Sequence, residues 1–238
     1  IVGESGCGKS MTAMSVMGLL RHPGRIVGGS ITLDGRDITH LSARELAKVR
    51  GDEISMIFQE PMTSLNPVYP VGKQVQEAIL LHQKVSKEEA KQRVLDIFRA
   101  VGIPEPEKRY KSYPHQLSGG LRQRVMIGMA MVCRPKVMIA DEPTTAIDSI
   151  TQYEILEEFV RIKKEHDTAM IFITHDLGAI SKVADDLVVM NSGTIADREA
   201  FPYPASCVRS IYETSGGKTV GGHEKIQGSI GHENGGAA

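Results

Sequence analysis

The segment from Gly3 to Ser10 holds the residues with the clearest chemical potential in the chain. It reads GESGCGKS and satisfies the pattern G-x-x-x-x-G-K-[ST]. Glycines let consecutive backbone N–H groups curl around phosphate oxygens, and the N-terminus of a following helix adds the positive end of its dipole. In such a loop Lys9 would reach the outer phosphates, and the Ser10 hydroxyl would ligate Mg²⁺. The pattern therefore predicts a binding site for a nucleoside phosphate.

Two acidic residues, Asp141 and Glu142, come directly after an apolar run at Val137 to Ala140. A carboxylate at such a strand end can hold Mg²⁺ through water, and Asp141 is the candidate. Glu142 can polarise an attacking water as a general base. An acidic pair of this kind could equally be a solvated strand end. The phosphate loop in the same chain favours the catalytic interpretation.

Gln59 and His175 each follow another apolar run. Open α/β sheets bind ligands at the carboxyl ends of their strands, so both side chains are expected at the edge that carries Lys9 and Glu142. His175 is interpreted as a contact to the outermost phosphate, and the Gln59 amide as a contact to Mg²⁺ or to the water. The predicted catalytic residues are therefore Glu142, His175 and Gln59, and the predicted metal ligands are Ser10, Gln59 and Asp141.

The tetrapeptide LSGG at Leu117 to Gly120 is a second design for binding phosphate. Ser118 is a good N-cap, and Gly119 and Gly120 would expose the first N–H groups of a helix to an anion. One chain then has two phosphate cradles and a single catalytic set. A head-to-tail dimer resolves this mismatch, because each LSGG would cover the nucleotide on the glycine loop of the partner.

The elements that must position these residues alternate between strands and helices. A helix is expected from the glycine loop to about Leu20, and a hairpin around Asp34 and Gly35. Alternation of this kind predicts an α/β fold with a mostly parallel sheet. Strands are predicted at Ile1 and Val2, at Ile54 to Phe58, at Val137 to Ala140, at Ala169 to Ile173 and, as the last one, at Leu187 to Met190.

A helical block interrupts this alternation. Ala90, Val94, Ile97, Phe98 and Val101 recur at steps of three and four residues, which predicts one apolar stripe on a helix. We expect a discontinuous core at residues 1–60 and 125–197, an inserted helical subdomain at 61–124, and a glycine-rich, poorly ordered tail at 198–238.

The composition narrows the class of protein. The chain has 41% hydrophobic and 24% charged residues and a net charge of −1, which gives no sign of a nucleic-acid footprint. No apolar run approaches the roughly 18–20 residues that span a bilayer, so a membrane role would come through a partner. The three cysteines, Cys7, Cys133 and Cys207, match neither a disulfide framework nor a metal spacing.

In this order and spacing, the motifs resemble those of the ATP-binding cassette (ABC) ATPases. GESGCGKS looks like the family's Walker A, Gln59 its Q-loop, LSGG its signature, residues 137–142 its Walker B, residues 144–148 its D-loop and His175 its H-loop. The resemblance implies a P-loop NTPase (RecA-like) core, ATP and Mg²⁺ as cofactors, and ATP hydrolysis. The implied nucleotide-binding residues are Gly3, Glu4, Ser5, Gly6, Cys7, Gly8, Lys9, Ser10, Met11, Ser118, Gly119, Gly120 and Asp148.

Longer stretches narrow the resemblance further. ISMIFQEPMTSLNPVYPVGKQV, YPHQLSGGLRQRVMIGMAM and IADEPTTAID are similar to ATPases of oligopeptide, dipeptide and nickel importers. This resemblance implies a second ATPase subunit in a homo- or heterodimer, two membrane permeases and, indirectly, a substrate-binding protein. It also implies a peripheral position on the cytoplasmic face of the membrane. The stretch from Met62 to Val71 would transmit closure of the dimer to the permeases.

The family normally has an antiparallel β-subdomain before Walker A, and here it is expected to be truncated. This departure leaves open an alternative, in which the chain is a binding module with weak or no ATPase activity. A non-transport ABC ATPase of DNA repair or translation is a further alternative. Such proteins usually carry long coiled coils, zinc modules or a second cassette, and none of these is recognisable in this sequence.

Overall fold

The computed structural model describes residues 1–59, 64–145 and 147–200 of the 238-residue chain. Met62, at the start of the predicted transmitting stretch, lies outside the described residues. Most of the predicted tail, residues 201–238, lies outside them as well.

Six strands form the centre of the fold. They are β1 (Val2–Gly3), β4 (Ile54–Ile57), β5 (Val137–Asp141), β6 (Ala169–Ile173), β7 (Asp186–Asn191) and β8 (Thr194–Ala200). β4–β5–β6 form one three-stranded sheet and β1–β7–β8 another. The pairs β4–β5, β5–β6 and β1–β7 are parallel, whereas β7–β8 is antiparallel.

Backbone hydrogen bonds of Ile1 join the two sheets. Its nitrogen donates to the carbonyl oxygen of Phe172 at 2.6 Å, and the N–H of Thr174 donates to the Ile1 oxygen at 3.2 Å. This is the alternating pattern of a parallel ladder. The strands therefore run in the order β4-β5-β6-β1-β7-β8, and the mostly parallel α/β sheet predicted from the sequence is confirmed.

Both faces of this sheet are covered, as expected for parallel strands. Within β5, Met138 and Ala140 belong to the larger core, which is shared with the helical subdomain. Ile139 points to the other face and packs in a second core with Ala13 of the first helix. All three β5 residues are fully buried. The strand thus holds its carboxyl end rigidly between two cores.

Helices of the core flank the strands. The predicted hairpin is present as β2 (Thr32–Leu33) and β3 (Arg36–Asp37), with Asp34 and Gly35 at positive φ, as a two-residue turn of this kind requires. The helices are α1 (Lys9–Val16), α2 (Ala43–Val49), α7 (Ser149–His166) and α8 (Leu177–Val183).

The helical block between β4 and β5 forms one packed body. All five residues of the predicted apolar stripe are buried, so that prediction is confirmed. The block contains α3 (Val71–His82), α4 (Lys87–Ala100), α5 (Pro106–Tyr110), a 3₁₀ turn (Pro114–Gln116) and α6 (Gly119–Met131).

Helix α6 ties this block to the core. It packs on α3 and α4 within the block and also on β4 and α7 of the core. The helix continues without a break through residue 125, where the predicted boundary lies. The predicted division into 1–60 with 125–197 and 61–124 stays a prediction.

Two sequence predictions need correction. Helix α1 ends at Val16, before Leu20. Gly18 has φ 58, and the N–H groups of Gly18 and Leu19 bond back to Ser15 and Met14, which is the hydrogen-bond pattern of a Schellman cap. The glycine therefore stops the helix earlier than the apolar run suggested.

The second correction concerns the end of the sheet. Leu187 to Met190 lies in β7, but this is not the last strand, because β8 (Thr194–Ala200) pairs with it. Ser192 and Gly193 both have positive φ, 48° and 81°, and form the tight turn between them. The predicted tail at 198–238 therefore begins inside β8.

Candidate functional site

The predicted phosphate loop connects β1 to α1. Gly3, Gly6 and Gly8 have φ values of 150°, 81° and 106°, which other residues rarely adopt. Gly8 lies in the left-handed conformation at the N-cap of α1, and its oxygen accepts from Thr12 N–H at 2.9 Å. The glycines thus turn the chain sharply, and the N-terminus of α1 points at the space inside the loop.

Lys9 lies inside this loop with 6% of its surface exposed. Its ammonium donates to the carbonyl oxygens of Gly3 at 2.8 Å and Glu4 at 2.9 Å, and it lies 3.8 Å from Cys7 Sγ. A buried ammonium needs acceptors, and the loop supplies them from its own backbone. The same charge can attract phosphate oxygens entering the loop.

The turn between β7 and β8 contacts the phosphate loop and supports it. Gly193 N–H donates to the Cys7 oxygen at 2.9 Å. A Cβ on Gly3 would lie 2.1 Å from the Met190 oxygen, so only glycine fits against β7. Cys7 is buried, whereas Glu4, Ser5, Ser10 and Met11 are exposed at the open side.

Asp141 lies at the end of β5 with 4% of its surface exposed. Burial raises the pKa of Asp141, Ser10 and Lys9 oppose that rise, and Glu142 adds to it. Its Oδ1 atom is buried and has no hydrogen-bond partner among the described residues.

The oxygens around Asp141 suit Mg²⁺. A buried carboxylate oxygen without a donor is costly unless a cation or an ordered water meets it. Ser10 is near enough to Asp141 to oppose the rise in its pKa, and Gln59 bonds to the neighbouring Glu142. Hydroxyl, amide and carboxylate oxygens are the ligands that Mg²⁺ prefers, so the predicted set fits the ion.

Glu142 is held by three polar side chains. Gln59 Nε2 donates to Oε2 at 3.1 Å, Thr145 Oγ1 donates to the same oxygen at 3.0 Å, and His175 Nδ1 lies 3.2 Å from Oε1. The backbone of Glu142 has φ 47, and its N–H donates to the Ile173 oxygen. The carboxylate is therefore oriented from both of its oxygens.

The predicted catalytic residues meet because neighbouring parallel strands end at one edge. β4 leads to Gln59, β5 to Glu142 and β6 to His175, while β1 leads to the loop that holds Lys9. Thr145 was not among the predicted site residues. Its position three residues after Glu142 could have indicated this contact. The N–H of Thr145 donates to the Glu142 carbonyl oxygen and closes a turn, which brings the Thr145 hydroxyl next to the Glu142 carboxylate.

Ser118 and Gly119 lie exposed at the N-terminus of α6. The Ser118 hydroxyl accepts from Leu121 N–H at 3.3 Å, which is the predicted N-cap. A Cβ on Gly119 would meet no atom within 4 Å, whereas one on Gly120 would lie 2.6 Å from Thr151 Cγ2. These contacts of Ser118 and Gly120 are with Leu121 and Thr151, and none of them involves the phosphate loop.

Asp148 caps the N-terminus of α7. Its Oδ1 accepts from Thr151 N–H at 3.0 Å, and hydrogen bonds with Thr151 lower the pKa of this exposed carboxyl. The carboxylate is thus occupied within its own chain. Contact between Asp148 and a nucleotide stays a prediction.

The chain is similar to proteins of known family. The protein family described as ABC transporter matches residues 1–145. The dipeptide transport ATP-binding protein DppD of Bacillus subtilis (strain 168) is 51% identical over 198 residues, which cover 83% of this chain and 59% of that protein. The oligopeptide transport ATP-binding protein OppD of Salmonella typhimurium is 54% identical over 193 residues, with 81% and 57% covered. The chain thus spans less than two thirds of the length of these relatives.

A solved structure agrees with the fold. It is described as the dimeric structure of a post-hydrolysis state of an ATP-binding cassette bound to ADP and Pi. Its TM-score is 0.74 at 26% sequence identity, over 85% of this chain and 84% of that one. The predicted cassette fold is therefore confirmed by an independent structure.

Asp141→Asn is expected to raise the free energy of unfolding of the nucleotide-free protein at neutral pH, because it removes a buried charge. Burial raises the pKa of Asp141, so the folded state binds a proton that the unfolded state has already released. Stability therefore falls as pH rises through the interval between the two pKa values. The gain from the substitution should be largest at pH 7 and shrink as the pH approaches about 4.

Urea unfolding at both pH values measures this effect. Asp37→Asn is the matched control, because the Thr39 hydrogen bonds lower the pKa of Asp37. That substitution should change stability in the opposite direction at pH 7. A loss of stability in Asp141→Asn at pH 7 would contradict the unpaired buried carboxylate.

Proposed function

We propose that this chain, which belongs to the ABC transporter family, is the ATP-hydrolysing nucleotide-binding subunit of an importer for peptides or nickel. The observation that carries the proposal is the Glu142 carboxylate, held by Gln59, Thr145 and His175 beside a glycine loop. The names of the relatives, dipeptide and oligopeptide transport ATP-binding proteins, support a peptide as cargo.

Binding of ATP would begin at the glycine loop. The N–H groups at the start of α1 and the Lys9 ammonium would attract the β- and γ-phosphates. Ser10, Gln59 and Asp141 would hold Mg²⁺, which when bound would neutralise charge on the phosphate oxygens. The loop is preformed, since Lys9 already lies within it on the oxygens of Gly3 and Glu4.

Hydrolysis would proceed by in-line attack of water on the γ-phosphorus. Glu142 would accept a hydrogen bond from the water and take up its proton as the bond from the water oxygen to phosphorus forms. The bond from phosphorus to the bridging oxygen would break, and that oxygen would leave on ADP. His175 and Gln59 would orient the γ-phosphate and the water, because both side chains reach the Glu142 carboxylate.

Glu142→Gln is expected to lower ATP turnover by about 100- to 10,000-fold while ATP binding remains intact, because a general base is lost and the shape is kept. Phosphate release and equilibrium binding of ATP measure the two effects. Glu157→Gln is the control, since Glu157 is exposed on α7 and should leave turnover unchanged. Unaltered turnover in Glu142→Gln would remove Glu142 from this role.

The complete site would need a second ATPase subunit. Ser118 and Gly119 present an exposed helix N-terminus that no residue of the phosphate loop approaches among the described contacts. In a head-to-tail dimer this end would cover the γ-phosphate bound to Lys9 of the partner, and each of the two composite sites at the interface would enclose one ATP. The related cassette solved with ADP and Pi is a dimer, which supports this arrangement.

Ser118→Arg is expected to abolish ATP-driven dimerisation in the Glu142→Gln background, because a bulky cation would fill the space for the partner's phosphate. Size-exclusion chromatography with and without ATP measures it. Ser86 is the matched control, since it caps α4 in the same way, with Glu89 N–H donating to its hydroxyl at 3.0 Å. Ser86→Arg should lose a cap and still dimerise, whereas dimers of Ser118→Arg would argue against the two-cradle arrangement.

Besides the second ATPase subunit, two membrane permeases are the proposed partners. Within residues 1–59, 64–145 and 147–200, no helix is both long enough and apolar enough to cross a bilayer. A groove of about 310 Å³ lies where the core meets the helical block. Its apolar lining suits an amphipathic helix from a permease, and the lining residues include Met17, Phe58, Leu65, Ala78, Met126 and Met129. The subunit would then sit peripherally on the cytoplasmic face, and a substrate-binding protein would act only through the permeases.

Transport by the complete assembly tests the import proposal. The chain is to be co-purified with the permeases encoded beside it, reconstituted in vesicles, and supplied with its binding protein and labelled short peptides or Ni²⁺. ATP-dependent uptake of one cargo is expected, and Glu142→Gln should abolish it. An assembly that hydrolyses ATP without taking up either cargo would contradict the proposed substrate class.

A further inference from the structure

We propose that Arg124 is a positioning residue that locks the signature helix α6 against α7 and so sets the direction in which Ser118 faces the second subunit. The proposal rests on the proposed function, because it concerns how the second phosphate cradle is aimed. Arg124 lies in α6, six residues after Ser118, which is about 9 Å along a helix.

The guanidinium of Arg124 joins three elements. It donates to the carbonyl oxygen of Val101, just after α4, at 2.9 Å and to Glu154 Oε2 on α7 at 3.0 Å. Its Nη1 also lies 3.9 Å from Oε2 of Glu158. Only 14% of the Arg124 side chain is exposed. The charge is thus mostly removed from water, and its hydrogen bonds reach both α7 and the end of α4.

Glu158 completes the link from the side of α7. Its residue surface is 8% exposed, and Arg161 donates both to its carboxylate and to the carbonyl oxygen of Ala100. Two guanidinium groups therefore bind the carbonyl oxygens of Ala100 and Val101 at the C-terminal end of α4. The negative end of the helix dipole favours cations there. A buried carboxylate such as Glu158 requires this pairing, because an isolated buried charge is strongly unfavourable.

The backbone is adapted to Arg124. Gly102 has φ 67, and a Cβ on it would lie 2.6 Å from Arg124 Nη1. A side chain at position 102 would therefore collide with the guanidinium. The glycine satisfies both the left-handed turn and the close approach.

A second contact lies one turn closer to the N-termini of the same two helices. Gly120 approaches Thr151 so closely that a Cβ would lie 2.6 Å from Thr151 Cγ2. Gly120 and Arg124 are four residues apart on α6, and Thr151 and Glu154 are three apart on α7, so each pair shares a helix face. Two contacts along one seam define the direction of α6 relative to α7.

These contacts between α6 and α7 also connect the N-cap residues of the two helices. Ser118 begins α6, and Asp148, which binds Thr151 N–H, begins α7. Arg124 would therefore make both helix ends move together when ATP brings two subunits into contact. Lysine cannot replace it fully, because one ammonium does not reproduce the planar fork that reaches a carbonyl and a carboxylate together.

The test uses the full chain in the Glu142→Gln background. Arg124→Gln is expected to weaken ATP-driven dimerisation by at least about 10-fold while the affinity of the monomer for ATP changes less than about 2-fold, and Arg124→Lys should fall between. Glu154→Gln should weaken dimerisation by a smaller factor, and adding it to Arg124→Gln should have no further effect, since contacting residues are non-additive. Glu157→Gln, three residues further along α7, is the control and should dimerise normally. Sedimentation equilibrium at several ATP concentrations measures all five.

Hydrogen exchange of the Leu121 and Arg122 amides in the ATP-free monomer gives a second readout. Faster exchange in Arg124→Gln and Glu154→Gln, but not in Glu157→Gln, is expected if the lock holds α6 in place. Should Arg124→Gln fail to fold, the exposed Glu154 still permits both measurements. Unchanged dimerisation and exchange in these variants would overturn the proposal, whereas absence of ATP binding in Glu142→Gln itself would contradict the proposed function.

Discussion

The pairing of parallel strands at one edge is the constraint on which the site depends. Ile1 bonds to Phe172 and Thr174 and thereby inserts β1 beside β6. Since parallel strands all point the same way, the loop that follows β1 then opens next to the ends of β5 and β6. Lys9 and Glu142 belong to one site because of these backbone hydrogen bonds, although 133 positions separate them in the sequence.

The charged side chains at this edge of the sheet differ in how completely hydrogen bonds satisfy them. Lys9 is satisfied by carbonyl oxygens, and the Glu142 carboxylate accepts hydrogen bonds from Gln59 and Thr145. Asp141 keeps one buried oxygen without a hydrogen-bond partner among the described residues. A cation at this oxygen would relieve that cost, which supports the proposed binding of Mg²⁺ together with ATP.

The helical block supplies what the core lacks. Its helix α6 carries Ser118 at one end and packs against β4, so the proposed second cradle is attached to the same sheet as the phosphate loop. In the proposed lock, Arg124 and the Gly120 contact hold α6 against α7. A movement of the core would then reach Ser118, because packed elements shift as units.

The sequence by itself determined the local features. The pattern around Lys9, the cap at Ser118 and the apolar strands before Glu142 and His175 depend on neighbouring residues, so they could be read directly, and the alternation of elements predicted the sheet. Only the tertiary structure decided the rest. The hydroxyl of Thr145 on Glu142 and the seam formed by Arg124 depend on distances between elements far apart in the chain, and no periodicity records such distances. The early end of α1 was missed because the turn at Gly18 outweighed the apolar run, and β8 was missed because its residues are mostly exposed and form no apolar run.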